Sequence, residues 1–152
     1  MCENCTCEKY PKPSVTADII VRRKNIHGLI QYLFVVRKNE PYKDQFALPG
    51  GFLNENETGT ECAIRELKEE TGLSLLPSQL NIVHVADEKG RDPRGWTISL
   101  VHKCDLVLTM EDSTYLKASD DAKDLKWLER DFVISNPELF AFDHVEILKK
   151  VY

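Results

Sequence analysis

No run of about 18 apolar residues occurs in the 152-residue chain, so it offers no candidate for a membrane-spanning helix. The opening stretch, Met1 to Val15, lacks the apolar centre of a secretory leader. The basic residues form no block and the net charge is -5, which argues against a nucleic-acid backbone as partner. A small phosphate compound gripped by a few local arginines is still compatible with that balance. Cysteine is scarce and odd in number. With no leader, Cys2, Cys5, Cys7, Cys62 and Cys104 read as reduced thiols of a cytoplasmic protein. Cys2, Cys5 and Cys7 supply three thiolates, one short of a structural zinc site, so a frayed tail without zinc is expected. What is present suits a globular domain: 42% hydrophobic and 30% charged residues, at a length one core can serve. We expect a flexible tail over residues 1–12 and a single domain over 13–152.

Two runs rich in β-branched and aromatic residues, VTADIIVRR (15–23) and LIQYLFVVR (29–37), flank a turn and predict an antiparallel strand pair. A proline-containing loop (39–43) leads to a short apolar run (45–48) and then to Pro49-Gly50-Gly51. Thr58 to Thr71 predicts a helix: Thr60, Ala63, Ile64, Leu67 and Thr71 recur at spacings of three and four, Thr58 suits the N-cap, and Gly72 suits a left-handed end. Residues 81–87, 97–108 and 125–128 read as strands, and 109–123 as a long acidic loop. A last helix is expected to start at Pro137, capped by Asn136, with Lys149 and Lys150 in its last turn.

Glu66, Glu69 and Glu70 fall within one arc of the first helix, roughly opposite its apolar stripe, and are expected to face solvent. Three carboxylates on one face repel one another. Hard oxygen ligands on adjacent turns suit Mg²⁺ or Mn²⁺, whereas the bland alternative is an acidic solvated surface. Arg91 and Arg94 flank Asp92-Pro93 in a short loop, a place from which guanidinium groups can grip phosphate; the bland alternative is a solvated turn. Trp96 is either a platform for a base or a core residue, and Arg37, at a strand end, is a second candidate for substrate. His27, His84, His102 and His144 are expected to be structural.

From Gly51 the chain runs G-x5-E-x7-R-E-L-x-E-E-x-G-L, through Glu57, Arg65, Glu66, Leu67, Glu69, Glu70, Gly72 and Leu73. This resembles the complete Nudix box, with nine positions at fixed spacing and no departure. The resemblance implies an α/β Nudix fold, a mixed sheet sandwiched between helices. It implies Glu66, Glu69 and Glu70 as metal ligands, with Glu57 assisting, Arg65 holding a glutamate in place, and the Gly51 carbonyl as a further ligand. The segments RKNEPYKDQFALPGGF, YPKPSVTADII, RDPRGWTIS, SDDAKDLKWL and FAFDHVEIL resemble one branch, the ADP-ribose pyrophosphatases and related ADP-ribose-sensing regulators.

The activity so implied is Mg²⁺- or Mn²⁺-dependent hydrolysis of the diphosphate of ADP-ribose, or of a related nucleoside diphosphate derivative, to AMP and ribose 5-phosphate. Arg37, Arg91, Arg94 and Trp96 would bind the substrate. The base that takes a proton from water is expected to be Asp120 or Asp121, with Glu70 and Glu111 as rivals. The branch also implies a homodimer. Two alternatives differ in substrate or outcome: a Nudix hydrolase for oxidised nucleoside triphosphates, dinucleoside polyphosphates or NADH, and a non-catalytic sensor. The sensing regulators of the branch carry a further DNA-reading domain, and the chain ending at Tyr152 makes the enzyme the expected reading.

Overall fold

The computed structural model describes residues 9–25, 27–108 and 122–152. The cysteines Cys2, Cys5 and Cys7, and the expected base Asp120 or Asp121 with its rival Glu111, lie outside them. Strand β1 (Ser14–Lys24) is buried without a break from Thr16 to Val21. A strand whose apolar residues do not alternate with polar ones is one covered on both faces, and β1 lies at the centre of a seven-stranded mixed sheet. On one side it runs parallel to β6 (Thr97–Leu108), which pairs antiparallel with the edge strand β5 (Asn81–Ala86). On the other side β1 changes neighbour. Its C-terminal half pairs antiparallel with β2 (Ile30–Arg37), as expected, and its N-terminal half with β4 (Gly50–Phe52), where Asp18 meets Gly50. The short β3 (Phe46–Ala47) and the longer β7 (Ala122–Glu129) both pair with β2.

Successive side chains on a strand point to opposite faces, and β1 shows the result. Ala17, Ile19 and Val21 meet Cys62, Ala63 and Leu67 of helix α1 (Gly59–Thr71) on one face. Ile20 joins Phe34, Val133, Ile147 and Leu148 on the other, where α2 (Arg130–Ser135) and α3 (His144–Val151) pack. The chain is therefore a three-layer α/β fold, as the resemblance implies. Helix α1 has the expected ends. Thr58 and Glu61 form a capping box, and Gly72 closes it at φ 79°, where glycine escapes the left-handed penalty.

Two expectations are corrected. The last helix does not start at Pro137. Pro137–Leu139 forms a single 3₁₀ turn, and α3 begins at His144. Between them Phe140 bridges to Phe46 in parallel and is buried against Phe34 and Phe46, so burial of aromatics in extended chain overrides the helix signals. A separate helix, α2, precedes this stretch. Glu70 does not face solvent: it follows Ala63 by two turns and Leu67 by three residues, on the edge of the buried stripe, and is 5% exposed.

Two buried histidines are expected to make the fold sensitive to acid. The Nδ1–H of His102 donates to the Leu100 carbonyl (2.9 Å), and Nε2 accepts from the Thr60 hydroxyl (3.2 Å). His144 accepts the Leu48 N–H at Nδ1 (2.9 Å). Burial lowers the pKa of both rings, so both are neutral in the native state. Unfolded histidine titrates near about 6.5. Below that pH the unfolded chain binds more protons than the folded one, so stability is full above it and lost as pH falls. Urea unfolding should show the free energy dropping between about pH 7.5 and 5.5, at a limiting slope of about 1.4 kcal/mol per pH unit for each histidine. A flat profile over that window would show that the rings take up protons without unfolding.

Candidate active site

The helix α1 glutamates and the loop before it converge on one guanidinium. Arg65 binds Glu57 through two bonds (Nε to Oε2, 2.7 Å; Nη2 to Oε1, 2.9 Å), Glu66 at 2.8 Å and Glu69 at 3.3 Å, and donates to the Phe52 carbonyl at 3.1 Å. One positive charge among three negative ones leaves the cluster anionic. Bonding to Arg65 holds the Glu57 carboxyl down at about 2, and the same carboxylates raise the Arg65 pKa. Burial, reinforced by the Glu57 charge, pushes the neighbouring Cys62 thiol up to about 12, which removes it as a nucleophile. Glu70 reaches out of the same helix to accept the Gly50 N–H at 3.0 Å. Glu66 lies so close against Gly51 that a Cβ there would overlap its carboxylate.

Gly50, Gly51, Glu66 and Glu70 belong to the lining of a cavity of about 420 Å³. They line it together with residues 37–40, Arg91 and Arg94, and with Asp18 from the sheet and His144 from α3. Arg37 donates from Nε to the Pro41 carbonyl (2.7 Å), with its guanidinium 5.0 Å from the Phe142 ring centre. Arg94 is clamped by Asp92 and lies 4.7 Å from the Phe52 ring centre and 5.3 Å from that of Phe142. Arg91 is nearly buried in a two-bond pair with Asp143 (2.9 and 2.8 Å).

The structure thus brings Gly51, Glu66, Glu70, Arg37, Arg91 and Arg94 to one cavity. Arg65 binds Glu66 of that cavity, and Glu57 and Glu69 are joined to it through Arg65. Trp96 is 58% exposed and does not line the cavity; the aromatic rings that do are Phe52 and Phe142. Neither ring was singled out from the sequence, and their type alone carries no signal. Asp18 was also missed, although it is the one charged residue in the apolar run Val15–Val21. His144, expected to be structural, lines the cavity as well.

Among the described residues no three Asp, Glu, His or Cys side chains are placed to share one ion. Glu66 and Glu70 nevertheless present hard oxygens to the cavity beside the Gly51 backbone. Mg²⁺ is commonly held by one or two carboxylates, with substrate phosphate and water completing its shell. The donor set fits such an ion bound together with an anionic substrate.

The chain is 40% identical over 140 residues to an ADP-ribose pyrophosphatase of Methanocaldococcus jannaschii, an alignment covering 92% of this chain and 73% of that protein. It is 28% identical to an ADPR responsive transcriptional repressor of Acinetobacter baylyi, covering 94% of this chain and 54% of the repressor. In structure it superposes with a TM-score of 0.77 on a bifunctional NMN adenylyltransferase/ADP ribose pyrophosphatase of Francisella tularensis, solved with AMP and a manganese ion. That pair shares 35% identity, over 95% of this chain and 43% of the bifunctional protein. The NUDIX domain model matches residues 12–151, almost the whole chain and every residue of the glutamate cluster, so this chain belongs to the NUDIX family.

Proposed function

We propose that the chain hydrolyses the diphosphate bond of ADP-ribose, or of a closely related nucleoside diphosphate derivative, giving AMP and ribose 5-phosphate. The observation that carries this reading is one cavity lined both by the carboxylates Glu66 and Glu70 and by the guanidinium groups of Arg37, Arg91 and Arg94. A diphosphate bound there meets cation-binding oxygens and guanidinium donors together. Glu66, Glu70 and the Gly51 carbonyl would hold Mg²⁺ or Mn²⁺, with Glu69 and Glu57 joining through water or on release from Arg65. Such an ion neutralises phosphate charge and makes a water easier to deprotonate. Arg65 keeps Glu66 at its station, and Arg94 holds the anionic substrate. Asp120, Asp121 or Glu70 takes the proton from the attacking water. The exposed Phe52 ring, which lines the cavity, offers the base a stacking surface that Trp96, outside the lining, does not. We place the protein in the cytoplasm, as a homodimer.

A second reading has one observation behind it, the similarity to a repressor named for its response to ADPR: binding without turnover. Product analysis separates the two. With Mg²⁺, ADP-ribose should be converted to AMP and ribose 5-phosphate with the highest kcat/KM of a panel including oxidised nucleoside triphosphates, dinucleoside polyphosphates and NADH. EDTA should abolish turnover. Tight ADP-ribose binding with no products would establish the sensor, and faster cleavage of another panel compound would reassign the substrate.

A further inference from the structure

The cavity has a polar floor that the glutamate cluster does not explain. Asp18 stands on the central strand, 7% exposed, where an unpaired charge is costly unless it is hydrogen-bonded. Ser99 on β6 donates its hydroxyl to one Asp18 oxygen, Oδ2. His144, at the start of α3, is 4% exposed and lines the same cavity. Its Nδ1 accepts the Leu48 N–H, which fixes the tautomer: the neutral ring carries its proton on Nε2. Nε2 lies 3.9 Å from Asp18 Oδ2, beyond direct hydrogen bonding. A donor and an acceptor are therefore held facing the cavity at a separation that one oxygen, about 2.8 Å from each, can bridge. A hydroxyl, like the water it would displace, both accepts and donates through one atom. Asp18 also packs on Gly50, whose N–H is bonded to Glu70, so this hydroxyl would sit on the glutamate side of the cavity.

We propose that Asp18 and His144 form a hydroxyl-reading pair that grips a ribose hydroxyl of the substrate, on the sugar released as ribose 5-phosphate. The His144 Nε2–H donates to that hydroxyl and the hydroxyl donates to the Asp18 carboxylate. Ser99 and the Leu48 amide hold the pair in orientation. The pair accounts for a sugar being preferred over a bare diphosphate end, and it rests on the reading of the site as one for a nucleoside diphosphate sugar.

The test compares binding of ADP-ribose and of ADP, which lacks the second sugar, by calorimetry in EDTA, where no turnover occurs. His144→Asn retains an acceptor for the Leu48 N–H, removes the Nε2–H and changes no charge; Asp18→Asn removes the carboxylate. The wild-type protein should bind ADP-ribose more tightly than ADP. Each variant should shrink that ratio about tenfold, the scale of one hydrogen bond to a charged or fixed group. A ratio of ligands cancels any general loosening of the site. Equal weakening of both ligands, an unchanged ratio, or a wild-type protein that binds ADP-ribose no tighter than ADP overturns the proposal. If either variant fails to fold, ¹⁵N-histidine NMR on the wild type carries the test: the Nε2 resonance of a buried neutral ring should move with ADP-ribose and not with ADP, and its failure to move overturns the pair. Absence of ADP-ribose hydrolysis with Mg²⁺ would instead overturn the proposed activity and leave the binding result to stand alone.

Discussion

Glu66→Gln and Glu70→Gln should each lower kcat for ADP-ribose by more than roughly 100-fold while leaving the fold intact. Loss of a group that merely orients a metal ligand costs about 10- to 100-fold, so loss of a ligand charge should exceed that. The fold should survive for local reasons. In Glu70→Gln the side-chain oxygen can still accept the Gly50 N–H that Oε1 accepts now, and in Glu66→Gln the Arg65 guanidinium keeps both bonds to Glu57. Kinetics at saturating Mg²⁺ and a thermal melt check the two halves. A variant that turns over at close to the parental rate would remove that glutamate from the metal site. Glu69→Gln is expected to do less, since Glu69 is exposed and is joined to the cavity lining through a 3.3 Å contact with Arg65.

The paired glycines should separate stability from catalysis. A Cβ on Gly50 would lie 2.9 Å from the Asp18 Cα and closer still to the Ala17 carbonyl, both on β1, so the backbone itself must move. Gly50→Ala should therefore weaken the β1–β4 pairing and cost about 1–3 kcal/mol in urea unfolding, the range for overpacking a tight interior. The three atoms nearest a Cβ on Gly51 all belong to the end of the Glu66 side chain, which can swing away. Gly51→Ala should leave stability nearly unchanged and still lower kcat by about as much as loss of Glu66, because the carboxylate has left its station. A Gly51→Ala enzyme with parental kcat would show that the site tolerates a displaced Glu66.

Helix α1 and its box were legible in the sequence because both depend on near neighbours. A capping box spans three residues, the apolar stripe repeats every three or four, and Arg65 reaches Glu66 and Glu69 within one turn. The strands were legible for the same reason, as β-branched runs between turn formers, and β6 has its expected bounds. The false helix at Pro137 shows the limit of local signals. Asn136, Pro137 and two terminal lysines favour a helix, but Phe140 and Ala141 are needed against Phe46, and a helix cannot lay them there.

By itself, then, the sequence determined the family, the α/β class, the ends of the first helix and the acidic cluster with its arginine. Tertiary structure alone decided which glutamates face the cavity, that Phe52 and Phe142 line it where Trp96 does not, and that Asp18 and His144 share its floor. The reason is separation along the chain. Ser99 reaches Asp18 across 81 residues and Leu48 reaches His144 across 96. No local periodicity encodes such pairs, because their register is set by which strands lie beside β1 and by how α3 closes over the sheet.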